Sequence, residues 1–244
     1  MLTALDRKTQ FARDGFVIVE NLFSPLEMTN AKNEVRRILD EHKAKTGAYP
    51  KNGVHVGLTV ASAHFRGLNA DPRIVDMLEE CVSPNLEFWS DKIVFKSAGV
   101  DFGSPWHQDW PYWHGANKFS VWLALDDATR ENGCLRVIPG SHKTKANHGG
   151  EDKEGIGFTN RMRPEDVDES KAIDVPLQAG GAILFHDLLL HSSYKNQSGK
   201  DRWAMISTYR DASQDDLCYP FATGAFMVRG KQTGKIIAEG RKEP

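Results

Sequence analysis

After Pro84 the chain is cut by turn residues into short runs rich in β-branched and aromatic side chains: Leu86–Ser97, Phe119–Leu125, Cys134–Ile138, Ala172–Val175, Ala182–Phe185, Leu188–Ser193 and Trp203–Arg210. Runs this short do not make stable isolated helices, but each suits one strand with a buried face. Asn132-Gly133 and Pro139-Gly140 between them are turn signals. Many short strands bury their apolar faces only by stacking one sheet on another. The expectation is therefore a mainly β fold with flanking helices, a double-sheet sandwich or jelly roll.

The first third reads differently. Leu5–Arg13 has the texture of a short helix, and Gly15 leads into Phe16-Val17-Ile18-Val19. Ser24, followed by Pro25 and by Glu27 three residues on, is a capping-box start. It predicts an amphipathic helix to about Lys45, with Leu26, Val35, Ile38 and Leu39 on its apolar face. Asp71-Pro72 opens another helix, through Ile74, Val75 and Leu78 to near Cys81. With 244 residues, the chain is expected to be one domain. It divides into a helical layer at 1–85, a β core at 86–212 and a C-terminal extension at 213–244. The core contains a long charged, glycine-bearing loop at 141–176, which reads as a lid.

Charge and cysteine usage exclude several classes. The 31 basic and 33 acidic residues, spread along the chain, give no reason to expect nucleic acid or an anionic membrane as partner. Cys81, Cys134 and Cys218 are far apart and lack CxxC spacing, which fits reduced thiols in a reducing cytoplasm. Met1–Phe16 has no apolar run of signal-peptide length, and no stretch approaches the roughly 20 apolar residues of a membrane span. A cytoplasmic enzyme acting on a small molecule is the expectation, and its oligomeric state is unreadable.

Three features stand in order: His107-Gln108-Asp109, His191 and Arg202. Two imidazoles and a carboxylate are the ligand set of the facial triad, which holds Fe(II) and leaves positions open for a 2-oxo acid and O2. In an extended segment the i, i+2 spacing turns His107 and Asp109 to one side. HxD alone is a weak signal, and the same donors suit zinc in a hydrolase or a cupin-type isomerase. Arg202 sharpens it. It follows His191 by eleven residues, on what reads as the next antiparallel strand after a turn through Asn196–Lys200. A planar guanidinium there can grip the far carboxylate of a dicarboxylic co-substrate, with the Ser193 hydroxyl as a further donor. A hydrolase needs no such clamp, and an intact triad argues against a sensor that binds without turnover. His186 is the rival for His191, but it lacks the following serine.

These residues also carry a resemblance. Asp14-Gly15-Phe16-Val17, Phe95-Lys96, Pro105-Trp106-His107-Gln108-Asp109-Trp110, Val121–Asp127, Glu131–Leu135, Pro139–His142, His191-Ser192-Ser193, Asn196 and Arg202 resemble the phytanoyl-CoA dioxygenase-like family, which includes ectoine hydroxylase. The resemblance implies a double-stranded β-helix (cupin-like jelly-roll) core, with Fe(II) at His107, Asp109 and His191. It implies 2-oxoglutarate held by Arg202 and Ser193, with contacts from Trp122 and Lys92, and O2 as oxidant. Asp109 separates the chain from halogenating relatives, in which a small residue at that position admits chloride. Trp110, Tyr112, Trp113 and His114 follow the second ligand and are expected to form a substrate wall, although aromatic clusters equally serve as core packing.

Overall fold

The computed structural model describes residues 4–50, 53–96, 102–150, 160–217 and 224–237. Helix α1 (Ala4–Asp14) ends where Gly15 takes φ +84°, and strand β1 (Phe16–Val19) follows. A side chain at Gly15 would meet His142 at 2.4 Å, so both the backbone angle and the packing exclude one. Helix α2 (Pro25–Thr46) starts on the expected capping box. Glu27 N–H donates to Ser24 Oγ at 3.3 Å, and Ser24 N–H donates to the Glu27 carboxylate at 2.7 Å. Its buried stripe is Met28, Ala31, Val35, Ile38 and Leu39. Leu26, expected on that face, is instead 70% exposed, because it lies off the three-and-four spacing of the stripe.

Strand β2 (Val54–Val56) and short helices α3 (Leu58–Ala61) and α4 (Ala63–Asn69) occupy ground the sequence left blank. Helix α5 (Pro72–Cys81) is capped by Asp71, whose side chain accepts from Arg73 N–H. It buries Ile74, Val75, Met77 and Leu78, each stabilising by about 1.5–3 kcal/mol.

The remaining strands are β3 (Leu86–Lys96), β4 (Lys118–Ala124), β5 (Leu135–Val137), β6 (Ile173–Val175), β7 (Ala182–His186), β8 (His191–Ser193), β9 (Arg202–Asp211), β10 (Asp216–Leu217), β11 (Phe226–Arg229) and β12 (Ile236–Ile237). A seven-stranded sheet runs β1-β7-β4-β9-β3-β11, with β2 also on β3, and its pairs are antiparallel. A three-stranded sheet runs β6-β5-β8. β10 and β12 form a small parallel pair.

Side-chain alternation gives the large sheet two different faces. Val121, Leu123, Leu184, Trp203, Met205 and Tyr209 meet the helices. Trp122, Ala124, Ile183, Phe185 and Ala204 meet Leu135, Val137 and Val175 of the small sheet. The order is helices, large sheet, small sheet. In β3 the alternation changes phase. Pairing with β9 slips between Phe88 and Ser90, so Trp89 is an extra residue. Before it Leu86 and Phe88 face the helices; after it Ile93 and Phe95 do. That slip sends Lys92, Val94 and Lys96 to the opposite face.

Two strand expectations are corrected. The run Leu188–Ser193 is not one strand: the chain turns at 187–190, passing from β7 in the large sheet to β8 in the small one. Nor do β8 and β9 form a hairpin, since β8 pairs with β5 and β9 with β3 and β4. Residues 194–201 instead carry the chain between sheets. The C-terminal extension contributes β11 to the edge of the large sheet. Cys81 and Cys134 are free thiols, while Cys218 and loop residues 151–159 lie outside the described residues. Among the described residues, no helix is long and apolar enough to cross a membrane.

Candidate active site

His107 is stitched to β8 by paired backbone bonds with His191, 3.1 Å from His107 N–H and 3.0 Å from His191 N–H. The two imidazoles therefore sit side by side, with ring centroids 4.1 Å apart. The extended segment ends sooner than expected. Asp109 is already helical in backbone angle and opens a 3-10 turn at Trp110–Tyr112. Its carboxylate still faces both rings, because its N–H is held 2.8 Å from the Asp187 carbonyl at the turn between the sheets.

In each histidine Nδ1 is committed to a backbone carbonyl, Pro105 O at 2.8 Å and Leu189 O at 2.9 Å. A carbonyl only accepts, so Nδ1 carries the hydrogen and Nε2 presents its lone pair. The Nε2 atoms of His107 and His191 lie 3.6 and 3.8 Å from Asp109 Oδ1. One donor atom from each residue falls within 4.8 Å of the others, and all three residues are buried. Burial and the neighbouring His191 push the His107 pKa down to about 3. Burial opposes ionisation of Asp109, but the neighbouring His191, Lys92 and His107 outweigh it and hold the carboxyl below its ordinary range. A neutral imidazole beside an ionised carboxylate is the donor state that a divalent metal requires.

The cavity beside this cluster is lined by both sheets: Trp122, Lys92, Lys96, Arg202 and Ile206 from the large one, His191 and Ser193 from the small one. Its closed end is built on cations. Lys96 and Arg202 stand opposite each other across β3 and β9 and are almost fully buried. Lys96 donates to Ser193 Oγ at 2.9 Å and to the Tyr194 carbonyl. Arg202 packs over the Trp122 ring, 5.3 Å from its centroid, and donates Nη2 to Gly133 O at 2.9 Å. Its Nε and Nη1 are buried with no hydrogen-bond partner among the described residues. Burial pushes its pKa down to about 10. A buried guanidinium with two free donors is costly unless a carboxylate completes it. The donor set and this orphaned fork fit an iron ion and 2-oxoglutarate.

A family model described as phytanoyl-CoA dioxygenase (PhyH) matches residues 11–204. The chain belongs to this family. It is a non-haem dioxygenase that depends on Fe(II) and 2-oxoglutarate. Among curated relatives, the phytanoyl-CoA dioxygenase domain-containing protein 1 homolog of Caenorhabditis elegans is 28% identical over 82% of this chain and 88% of its own. L-proline trans-4-hydroxylase of Streptomyces griseoviridis is 27% identical over 84% and 85%. The apo non-heme monooxygenase ThoJ superposes with a TM-score of 0.75 at 26% identity, over 98% of this chain and 89% of that one. The family match spans β1 to the start of β9, the stretch that supplies the three donors and Arg202.

The other expected residues separate in the structure. Ser193, Trp122 and Lys92 line the cavity. Trp110, Tyr112, Trp113 and His114 are not part of that lining. Tyr112 packs edge-on against His107 at 6.4 Å, Trp110 lies against His114 and beneath Lys145, and Trp113 is buried in the interior. The 3-10 turn after Asp109 breaks the strand alternation that would have aimed alternate rings one way, and Tyr112 keeps its ring against His107.

Two contributors had no role assigned from sequence. Lys96 was legible only as part of Phe95-Lys96, although a Lys-Val-Lys alternation in an apolar strand marks a polar inner face. Gln108 points away from the ligands that flank it and ties down the base of the loop. Its Nε2 donates to Thr144 O and Leu188 O at 2.8 and 2.7 Å, and Ala146 N–H donates to its Oε1 at 2.9 Å.

Proposed function

We propose that this enzyme hydroxylates, or otherwise oxidises, a small organic metabolite or natural-product intermediate, with release of succinate and CO2. The observation that carries the proposal is one cavity holding both a three-donor metal face and a buried guanidinium with two free N–H groups. When bound, iron(II) and 2-oxoglutarate supply the O2 activation and the oxidising power that removes hydrogen from the substrate. His107, Asp109 and His191 would hold the metal. Backbone carbonyls fix both histidine tautomers, so no ring has to reorganise on binding. Arg202, with Ser193, would receive the far carboxylate against Trp122, and the closed end excludes water from that pair. The two facing sheets support reading the core as a jelly roll. Tyr112, against the His107 ring, is the aromatic best placed to touch substrate.

The test is to replace His107, Asp109 and His191 singly with Ala and measure iron content and succinate release. Each variant should stay folded, lose metal and lose Fe(II)- and O2-dependent succinate. Full activity in any of them at ordinary iron concentrations refutes the assignment. Wild type that binds 2-oxoglutarate without releasing succinate would be a sensor. Product formed without 2-oxoglutarate would indicate a hydrolase or isomerase.

A further inference from the structure

The consecutive backbone N–H groups of His107, Gln108 and Asp109 all have acceptors. His107 N–H donates to His191 O at 3.1 Å, Asp109 N–H to Asp187 O at 2.8 Å, and Gln108 N–H to His148 Nε2 at 3.0 Å. Main chain around the crossing between the sheets holds the outer two. The middle one depends on a side chain 40 residues away. His148 is half-buried, and its other nitrogen sets it for this role. Nδ1 lies 3.1 Å from the Ala146 carbonyl, which only accepts, so Nδ1 carries the hydrogen and Nε2 the lone pair. Burial holds its pKa below the usual histidine value, which keeps the ring neutral.

The Gln108 side chain closes the same clamp from the other direction. Ala146 N–H donates to its Oε1 at 2.9 Å and its Nε2 donates to Thr144 O at 2.8 Å, so residues 144–148 and the residue between two metal donors grip each other from both sides. The return leg of the loop is bonded here too. Met162 N–H donates to Trp106 O at 2.8 Å, and Gly150 N–H donates to Arg161 O at 3.0 Å, which joins the two legs. A histidine that only shaped its own turn would need Ala146 alone. Without His148, the N–H of Gln108, a residue only 1% exposed, loses its acceptor, and the segment is free to shift His107 and Asp109 relative to His191. We propose that His148 is a positioning residue of the metal centre: by accepting the N–H between His107 and Asp109 it holds both donors at metal-binding spacing, and it couples the seating of residues 144–148 to metal affinity. This deepens the functional reading above and rests on it.

The test uses the full chain with Mn(II), an air-stable stand-in for iron, and reads its affinity by calorimetry. His148→Ala should bind Mn(II) about tenfold more weakly, the low end of what losing a residue that orients metal ligands costs. His148→Gln, whose amide oxygen reaches about as far as Nε2 and accepts in its place, should keep most of the affinity. Coupling is reciprocal, so saturating Mn(II) should slow hydrogen exchange at the wild-type Ala146 N–H about tenfold, read by mass spectrometry at residue resolution. Wild-type affinity in His148→Ala overturns the proposal even if the metal-free variant melts lower, since that pattern marks a purely structural residue. So does a loss in His148→Gln as large as in His148→Ala, or Ala146 exchange that does not respond to Mn(II). Should His148→Ala fail to fold, unchanged Ala146 exchange in wild type is enough to overturn the proposal, and slowed exchange together with a tight-binding His148→Gln upholds it. Wild type that binds no Mn(II) would instead remove the functional reading, and this inference with it.

Discussion

Arg202 and Trp113 are both buried large side chains near the metal cluster, and their surroundings give them opposite roles. Arg202 has two N–H groups without partners, and a ligand carboxylate completes them. Removing one member of a buried ion pair costs about 3–5 kcal/mol, so Arg202→Ala should raise the 2-oxoglutarate KM by roughly two to three orders of magnitude. The substrate KM should change little, and Arg202→Lys should recover only part of the loss because it lacks the planar fork. Steady-state kinetics with each reactant varied in turn checks this. Trp113 lies in the interior and outside the cavity lining. Trp113→Ala should cost about 3–5 kcal/mol of stability through the void it leaves. Succinate and oxidised product should remain in step, a ratio measurable in one reaction mixture.

Elements are joined to the helical face of the large sheet by a buried polar knot. Asp91 on β3 accepts from Thr59 N–H at 2.9 Å, Thr59 Oγ1 at 2.5 Å and Asn69 Nδ2 at 3.1 Å, which ties α3 and the end of α4 to the strand. Asn69 in turn accepts from Ser207 Oγ on β9 at 2.6 Å. Burial raises the Asp91 pKa above its ordinary 3.8, and the bonds from Thr59 and Asn69 only partly offset this. A carboxyl whose folded pKa is raised stabilises the fold at low pH and loses that contribution as pH climbs past the unfolded value. Asp91→Asn, with its amide nitrogen in the place of the unpartnered Oδ1, removes the titration. Relative to wild type, the variant should gain stability from pH 4 to pH 7. Urea denaturation of both proteins at the two pH values checks the sign.

The whole molecule should register ligands that complete the cavity, because they bind the folded state and not the unfolded chain. Free ligand at about a hundred times its Kd adds ~2.7 kcal/mol, several degrees in melting temperature for a domain of this size. Mn(II) and 2-oxoglutarate together should raise the melting temperature by more than Mn(II) alone. In Arg202→Ala the increment from 2-oxoglutarate should vanish while that from Mn(II) persists. A scanning fluorimetry series separates the two. Equal increments in both proteins would place 2-oxoglutarate elsewhere.

What the sequence determined by itself was whatever is settled within one helical turn or one strand pair. The capping box at Ser24, the Asp71-Pro72 start, the turn at Gly15, most strand positions and the donor types at His107, Asp109, His191 and Arg202 were all legible, because their causes lie within a few residues. Tertiary structure decided which strands share a sheet and which way their side chains face. The turn at 187–190 moves the chain between sheets, so Arg202 reaches the cavity from the opposite wall to His191 rather than across a hairpin. The extra residue at Trp89 reverses alternation in β3 and delivers Lys92 and Lys96 to the cavity. The early 3-10 turn at Asp109 breaks the strand alternation expected for the aromatic cluster. Each outcome depends on register or packing between segments far apart in the chain, and a single inserted residue changes the face of every side chain that follows.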